Sequence, residues 1–221
     1  MQRIGVLLSG CGVYDGAEIH EAVFTLLSID KASAEAVMLA PNELQMHTID
    51  HVSGNEVADE NRNILKESAR IARGNIQDVK EATADTLDAL ILPGGFGAAK
   101  NLCTFATEGV NCSINPDVQR LLLEMIDSRK PIGVACIAPA VLARALKDRG
   151  IAVKLTIGKD PGTAQALEAM GAKHIECEVD DVIVDREHRV VSTPAYMMAT
   201  RISQVETGLD KLVKEVIALI G

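Results

Sequence analysis

Short apolar runs alternate with segments of helical period along the chain, and this alternation limits the fold more than any other feature. Ile4–Leu8, Ala34–Leu39, Ala89–Leu92, Ile132–Ala135 and Val153–Ile157 read as strands. Ile4–Leu8, Ala89–Leu92 and Ile132–Ala135 carry no polar side chain, as suits strands covered on both faces. In the last helical segment Leu209, Leu212, Val213, Val216, Ile217 and Ile220 fall on one face, and in the first Ile19, Ala22, Val23, Leu26 and Leu27 do the same. The pair Val182–Val184 and Val190–Ser192, joined by the polar Asp185–Arg189, reads as a hairpin. The pattern predicts an α/β fold with a doubly wound, mostly parallel sheet and helices on both faces.

At 221 residues the chain suits one domain, and with aromatics at 2% its core must be aliphatic. The polar stretch 41–80 fits the alternation poorly and reads as an insertion carrying a small hairpin and one helix, roughly Arg62 to Arg73. Thr104 to Pro116 reads as a loop. A net charge of −9, with 22 basic against 31 acidic side chains, disfavours nucleic-acid and membrane partners. The apolar run Ile4–Leu8 is too short for a signal peptide, and no run approaches the ~20 apolar residues that span a bilayer. Five cysteines without a CxxC spacing suggest reduced thiols, hence a cytoplasmic protein.

Three segments can carry chemistry. Pro131-Ile-Gly-Val-Ala-Cys-Ile-Ala-Pro139 runs from an apolar strand through Cys136 into a helix. Such a turn puts the thiol at the carboxyl edge of the sheet, against a helix N-terminus that favours the thiolate. Spacing alone leaves a reactive and a buried structural cysteine equally open. Ile91-Leu-Pro-Gly-Gly-Phe-Gly97 offers close-approaching backbone N–H groups, as an oxyanion hole requires, or a plain tight turn. Ser9-Gly-Cys-Gly-Val-Tyr-Asp-Gly16 lacks the third glycine of a dinucleotide fingerprint, since Asp15 stands there. Glu18 and Glu21 follow, as candidate bases or as acidic residues favoured at a helix start. Glu21 lies almost opposite the apolar stripe of its helix, beside Ala17, Phe24 and Ser28. This mixed face would suit contact with another subunit, with Glu21 turned inward at its end. His47 and His51 read as surface residues of the insertion, and no metal site emerges. His174-Ile-Glu176 has amidotransferase-like His-x-Glu spacing, though only 38 residues beyond Cys136.

Four stretches, Gly10–Ala22, Pro93–Leu102, Ala135–Pro139 and Thr193–Met197, resemble in order a glyoxalase branch of the class I glutamine amidotransferase-like superfamily, which includes the PfpI peptidases and the deglycases. The resemblance spans essentially the whole chain. It implies a flavodoxin-like sandwich, a homodimer, and Cys136 as nucleophile with Glu21 at the thiol. It further implies an oxyanion hole from the N–H groups of Gly95 and Ile137, with His174 near the histidine that deglycases place by the thiol. One departure stands out: the histidine that follows the cysteine in the peptidases is Ile137 here. The implied activity is cofactor-independent conversion of glyoxal or a similar small dicarbonyl to a 2-hydroxy acid. The alternative is a non-enzymatic redox-responsive or partner-binding protein using the same cysteine.

Overall fold

The computed structural model describes residues 1–220. Nine strands occur in the order β1 (Arg3–Leu7), β2 (Glu35–Ala40), β3 (Gln77–Asp78), β4 (Ala89–Leu92), β5 (Ile132–Ala135), β6 (Lys154–Leu155), β7 (Lys173–His174), β8 (Ile183–Asp185) and β9 (Val190–Thr193). The helices are α1 (Ile19–Lys31), α2 (Ile64–Ile71), α3 (Phe105–Glu108), α4 (Pro116–Asp127), α5 (Pro139–Lys147), α6 (Pro161–Ala169) and α7 (Ile202–Ile220). The main sheet has seven strands in the order β3-β2-β1-β4-β5-β9-β8, all parallel except the β8–β9 hairpin. This is the flavodoxin-like doubly wound fold.

Strand alternation divides the core into two layers. Leu90, Leu92, Ile132 and Val134 join α4 and α5 on one face. Ala89, Ile91, Ala135 and Val191 join α1 and α7 on the other. A glycine at position 133 lets α7 come close, since a Cβ there would press on Leu212 and Val216. Truncating a fully buried strand residue such as Leu90 to alanine is expected to cost about 2–5 kcal/mol.

Three expectations are revised. The run at 153–157 forms only β6, which pairs with β7 in a separate two-stranded sheet. The stretch 41–80 contains its expected helix (α2) and antiparallel bridges at Leu44–Asn63 and Ile49–Glu56, but it ends in β3, which pairs with β2 in the main sheet. Two polar residues, Gln77 and Asp78, have no apolar run to announce them.

The third revision concerns α1. The face with Glu21, Thr25 and Ser28 is buried, while Ile19, Val23 and Leu27 are 40–45% exposed. The mixed face therefore meets the rest of this chain, not another subunit. Apolar spacing shows that a helix has a stripe; buried hydrogen-bond partners for Glu21 decide which side faces in.

Candidate active site

Cys136 follows β5 directly and adopts φ +57°, a left-handed conformation that is costly for a residue with a Cβ. Its backbone N–H bonds the Thr193 carbonyl at the end of β9, 3.0 Å away. The strained turn projects the side chain over the carboxyl edge of the sheet, and α5 starts three residues later. The backbone N–H groups of Gly95 and Ile137 act to lower the Cys136 thiol, against the rise that burial imposes.

Glu21 is fully buried and lies beside Cys136, the two side chains bordering Gly94 together. Its Oε2 accepts from the Gly94 N–H at 2.8 Å and its Oε1 from the Tyr196 N–H at 3.2 Å. Gly94 makes this approach possible, because a Cβ there would strike both the Cys136 Cβ and Glu21 Oε2. Glu18 caps α1 by accepting from the Glu21 N–H at 2.7 Å and is itself nearly buried.

Burial pushes the Glu21 carboxyl up to about 7, and the Glu18 carboxylate adds to the rise against the two N–H donors. Burial likewise pushes the Cys136 thiol well up, with the Glu21 charge adding to it. The helix N-terminus and N–H groups therefore do not by themselves free a thiolate, and that expectation is revised. Two buried acids side by side cannot both ionise readily, so above neutrality the pair shares one negative charge. Moving the proton from one to the other converts carboxylate and thiol into carboxylic acid and thiolate.

A cavity of about 370 Å³ opens over the pair, with Gly95, Phe96, Ile137, Glu18, Thr163 and Tyr196 in its wall. The Tyr196 hydroxyl lies 2.7 Å from His20 Nδ1, and His20 lies 3.8 Å from Glu18 Oε1. Tyr196, His20 and Glu18 thus form a polar rim, of which motif reading singled out only Glu18. The register that opposes Ala135 to Thr193 carries the residues after both strands to one edge, and this signal would have pointed to Tyr196. His174 is not part of this arrangement. Its strand β7 lies in the small sheet, its Nε2 accepts from the Ile157 N–H at 3.3 Å, and its ring is absent from the cavity wall.

All five cysteines are free thiols. Cys103 Sγ donates to the Ala98 carbonyl at 3.5 Å, and the neighbouring Cys103 and Cys112 thiols push each other's pKa apart, Cys112 down to about 7 and Cys103 up. Among the described residues no cluster of three or more His, Cys, Asp or Glu is placed to hold a metal ion.

No family model matches the chain. It is 45% identical, over 99% of its length and 84% of the relative's, to the human glutamine amidotransferase-like class 1 domain-containing protein 3, mitochondrial. It is 35% identical to the ES1 protein, mitochondrial, of Danio rerio, covering 98% of this chain and 86% of that one. Among solved structures, an isoprenoid biosynthesis protein with an amidotransferase-like domain from Ehrlichia chaffeensis superposes with a TM-score of 0.91 at 36% identity, over 98% of this chain and 99% of that one. Glyoxalase III from Candida albicans shares the fold, with a TM-score of 0.66 at 15% identity over 99% and 97% of the two chains. The mitochondrial names overturn the cytoplasmic expectation; the reduced thiols that prompted it suit any reducing compartment. The chain belongs to the glutamine amidotransferase-like class 1 (ES1) family.

Proposed function

We propose that this protein is a cofactor-independent glyoxalase converting glyoxal, or a similar small dicarbonyl, to a 2-hydroxy acid. The observation that carries the reading is the buried Glu21 carboxyl set beside Cys136, beneath a cavity whose wall includes Gly95 and Ile137. The likeness of the four sequence stretches to the glyoxalase ElbB supports the same activity.

In this mechanism the thiolate of Cys136 adds to an aldehyde carbon, forming a C–S bond. The Gly95 and Ile137 N–H groups stabilise the oxyanion that develops beside the sulfur. Glu21, left protonated by the internal transfer, protonates that oxygen to complete the hemithioacetal. Its carboxylate then removes the hydrogen from the same carbon, and the resulting enediol is reprotonated at the neighbouring carbon to give a thioester. Water cleaves the thioester, releasing the hydroxy acid and regenerating the thiol. The net reaction is dicarbonyl plus water to hydroxy acid. Glu18, Tyr196 and His20 form a route for protons from the rim. His174 has no step in this sequence.

The redox-responsive alternative needs a Cys136 thiol that ionises easily by itself, and burial together with Glu21 acts against this. A homodimer belongs to the proposal: the exposed Ile19, Val23 and Leu27 of α1, beside the rim residue His20, form a surface that a second copy would cover. The test of function is glycolate formation from glyoxal by purified protein. Turnover by the wild type that disappears in Cys136→Ser supports the reading, and a fully active serine variant would end it.

A further inference from the structure

The cavity is much larger than the smallest substrate it is proposed to take. Glyoxal has four heavy atoms and displaces roughly two waters, ~60 Å³, whereas the chamber over Cys136 holds about 370 Å³. A second hollow of about 250 Å³ adjoins it, lined by Tyr14, Ile49, Gly54, Phe96, Lys100 and Ala106. Phe96 belongs to both walls and is half-exposed. Phe96 is thus the residue the two hollows have in common.

The two hollows differ in charge. The chamber has Glu18 in its wall, and the annex has Lys100. Lys100 Nζ donates to the Tyr14 carbonyl at 2.9 Å and lies 5.5 Å from the centre of the Phe96 ring. Among the described residues no carboxylate pairs with it, and an ammonium has three donors, so two remain. The lysine sits on a π-helical turn, Ala98–Leu102, a widened geometry that recurs at functional sites.

Anchoring the 9–16 loop does not account for this cation, because the loop is held elsewhere. Asn101 Nδ2 donates to the Ser9 and Asp15 carbonyls, Asp15 Oδ2 accepts from the Ile49 N–H, and His51 Nε2 accepts from the Tyr14 N–H. Asp15 is buried behind His51, 3.8 Å away, and is not part of the annex wall.

We infer that the annex is an anion subsite, so that the Cys136 site takes an aldehyde or 2-oxoaldehyde bearing a carboxylate or phosphate on a spacer that packs along Phe96. The inference deepens the glyoxalase reading and rests on it for the reacting end of the ligand. Glu18 repels the anion from the chamber and Lys100 attracts it to the annex, which fixes the direction in which the ligand lies.

The test compares 4-formylbenzoate and 4-formylphenyl phosphate with the neutral 4-formylbenzamide by calorimetric titration. The charged aldehydes are expected to bind at least tenfold more tightly, and the order of the two shows which anion the annex prefers. Lys100→Gln should bring them down to the level of the amide while leaving amide affinity unchanged, which also reports that the variant is folded. Lys100→Arg should keep the preference. Equal affinities in the wild type, a preference that survives Lys100→Gln, or no binding of any of the three overturns the subsite. Turnover of phenylglyoxal and 4-carboxyphenylglyoxal separates the two ideas. Anion preference in binding without turnover of either removes the glyoxalase reading alone, whereas turnover without anion preference removes the subsite alone.

Discussion

The two faces of α1 both depart from the usual surface helix. Inward, beside the apolar Ala22 and Ile29, lie Glu21, Thr25 and Ser28; outward, beside His20 and Asp30, lie Ile19, Val23 and Leu27. The inward polar groups are tolerated because they are paired. Glu21 accepts two N–H groups, and Thr25 Oγ1 donates to the Glu21 carbonyl at 2.8 Å. The outward stripe keeps apolar area in water with no partner in this chain. The difference teaches that burial on one face of α1 follows paired polar groups, while the other face leaves apolar side chains partly exposed.

Breaking the inward face should have the largest effect. Cys136→Ser is expected to remove glycolate formation altogether. Glu21→Gln should lower kcat by about 10²–10⁴-fold, the usual contribution of a positioned base. Normal turnover in Glu21→Gln would strip that face of its chemical role.

The same variant should change stability with a defined sign. Burial raises the folded Glu21 carboxyl to about 7, against an ordinary value of 4.5. Between these values the folded chain keeps a proton that the unfolded chain has lost, so stability falls as pH rises from about 4.5 and levels off above 7. The full loss is roughly 3 kcal/mol at 1.36 kcal/mol per pK unit. Urea unfolding at pH 5 and pH 8 should show this decline in the wild type and little of it in Glu21→Gln. A wild type more stable at pH 8 than at pH 5 would contradict the buried, raised carboxyl.

The outward face sharpens the comparison with a smaller effect on the single chain. Val23→Asp should leave the unfolding free energy within about 0.5 kcal/mol, as at other exposed sites, while sedimentation shifts from dimer to monomer. An unchanged sedimentation coefficient would remove the dimer from the proposal. Smallest of all, His20→Ala should cost about 1 kcal/mol or less of transition-state stabilisation, the worth of one exposed hydrogen bond to Tyr196, read as a drop in kcat/KM of less than tenfold.

Much of the scaffold was legible because buried parallel strands are uninterrupted apolar runs. Ala89–Leu92 and Ile132–Ala135 are placed to the residue. Of the two-residue strands only Lys154–Leu155 lay in an expected run, since Gln77–Asp78 and Lys173–His174 owe their pairing to neighbours and not to their own pattern. At the site, the turn after β5 announced Cys136, and family likeness directed attention to Glu21, Gly95 and Ile137. What spacing could not carry was the coupling of the thiol to Glu21, which depends on burial, or the Tyr196–His20 rim, whose members are 176 residues apart. His174 shows the opposite failure: a recognisable spacing on a strand that tertiary pairing directs elsewhere.

The central claim is that Cys136 and Glu21 titrate as a pair. It is tested most directly by the rate of Cys136 alkylation by iodoacetamide against pH, read by peptide mass spectrometry in wild type and Glu21→Gln. A shared proton gives a wild-type rate that rises with a midpoint near 7. Loss of the carboxylate should leave an isolated buried thiol whose midpoint lies at least one pH unit higher. Superimposable profiles in the two proteins would contradict the account.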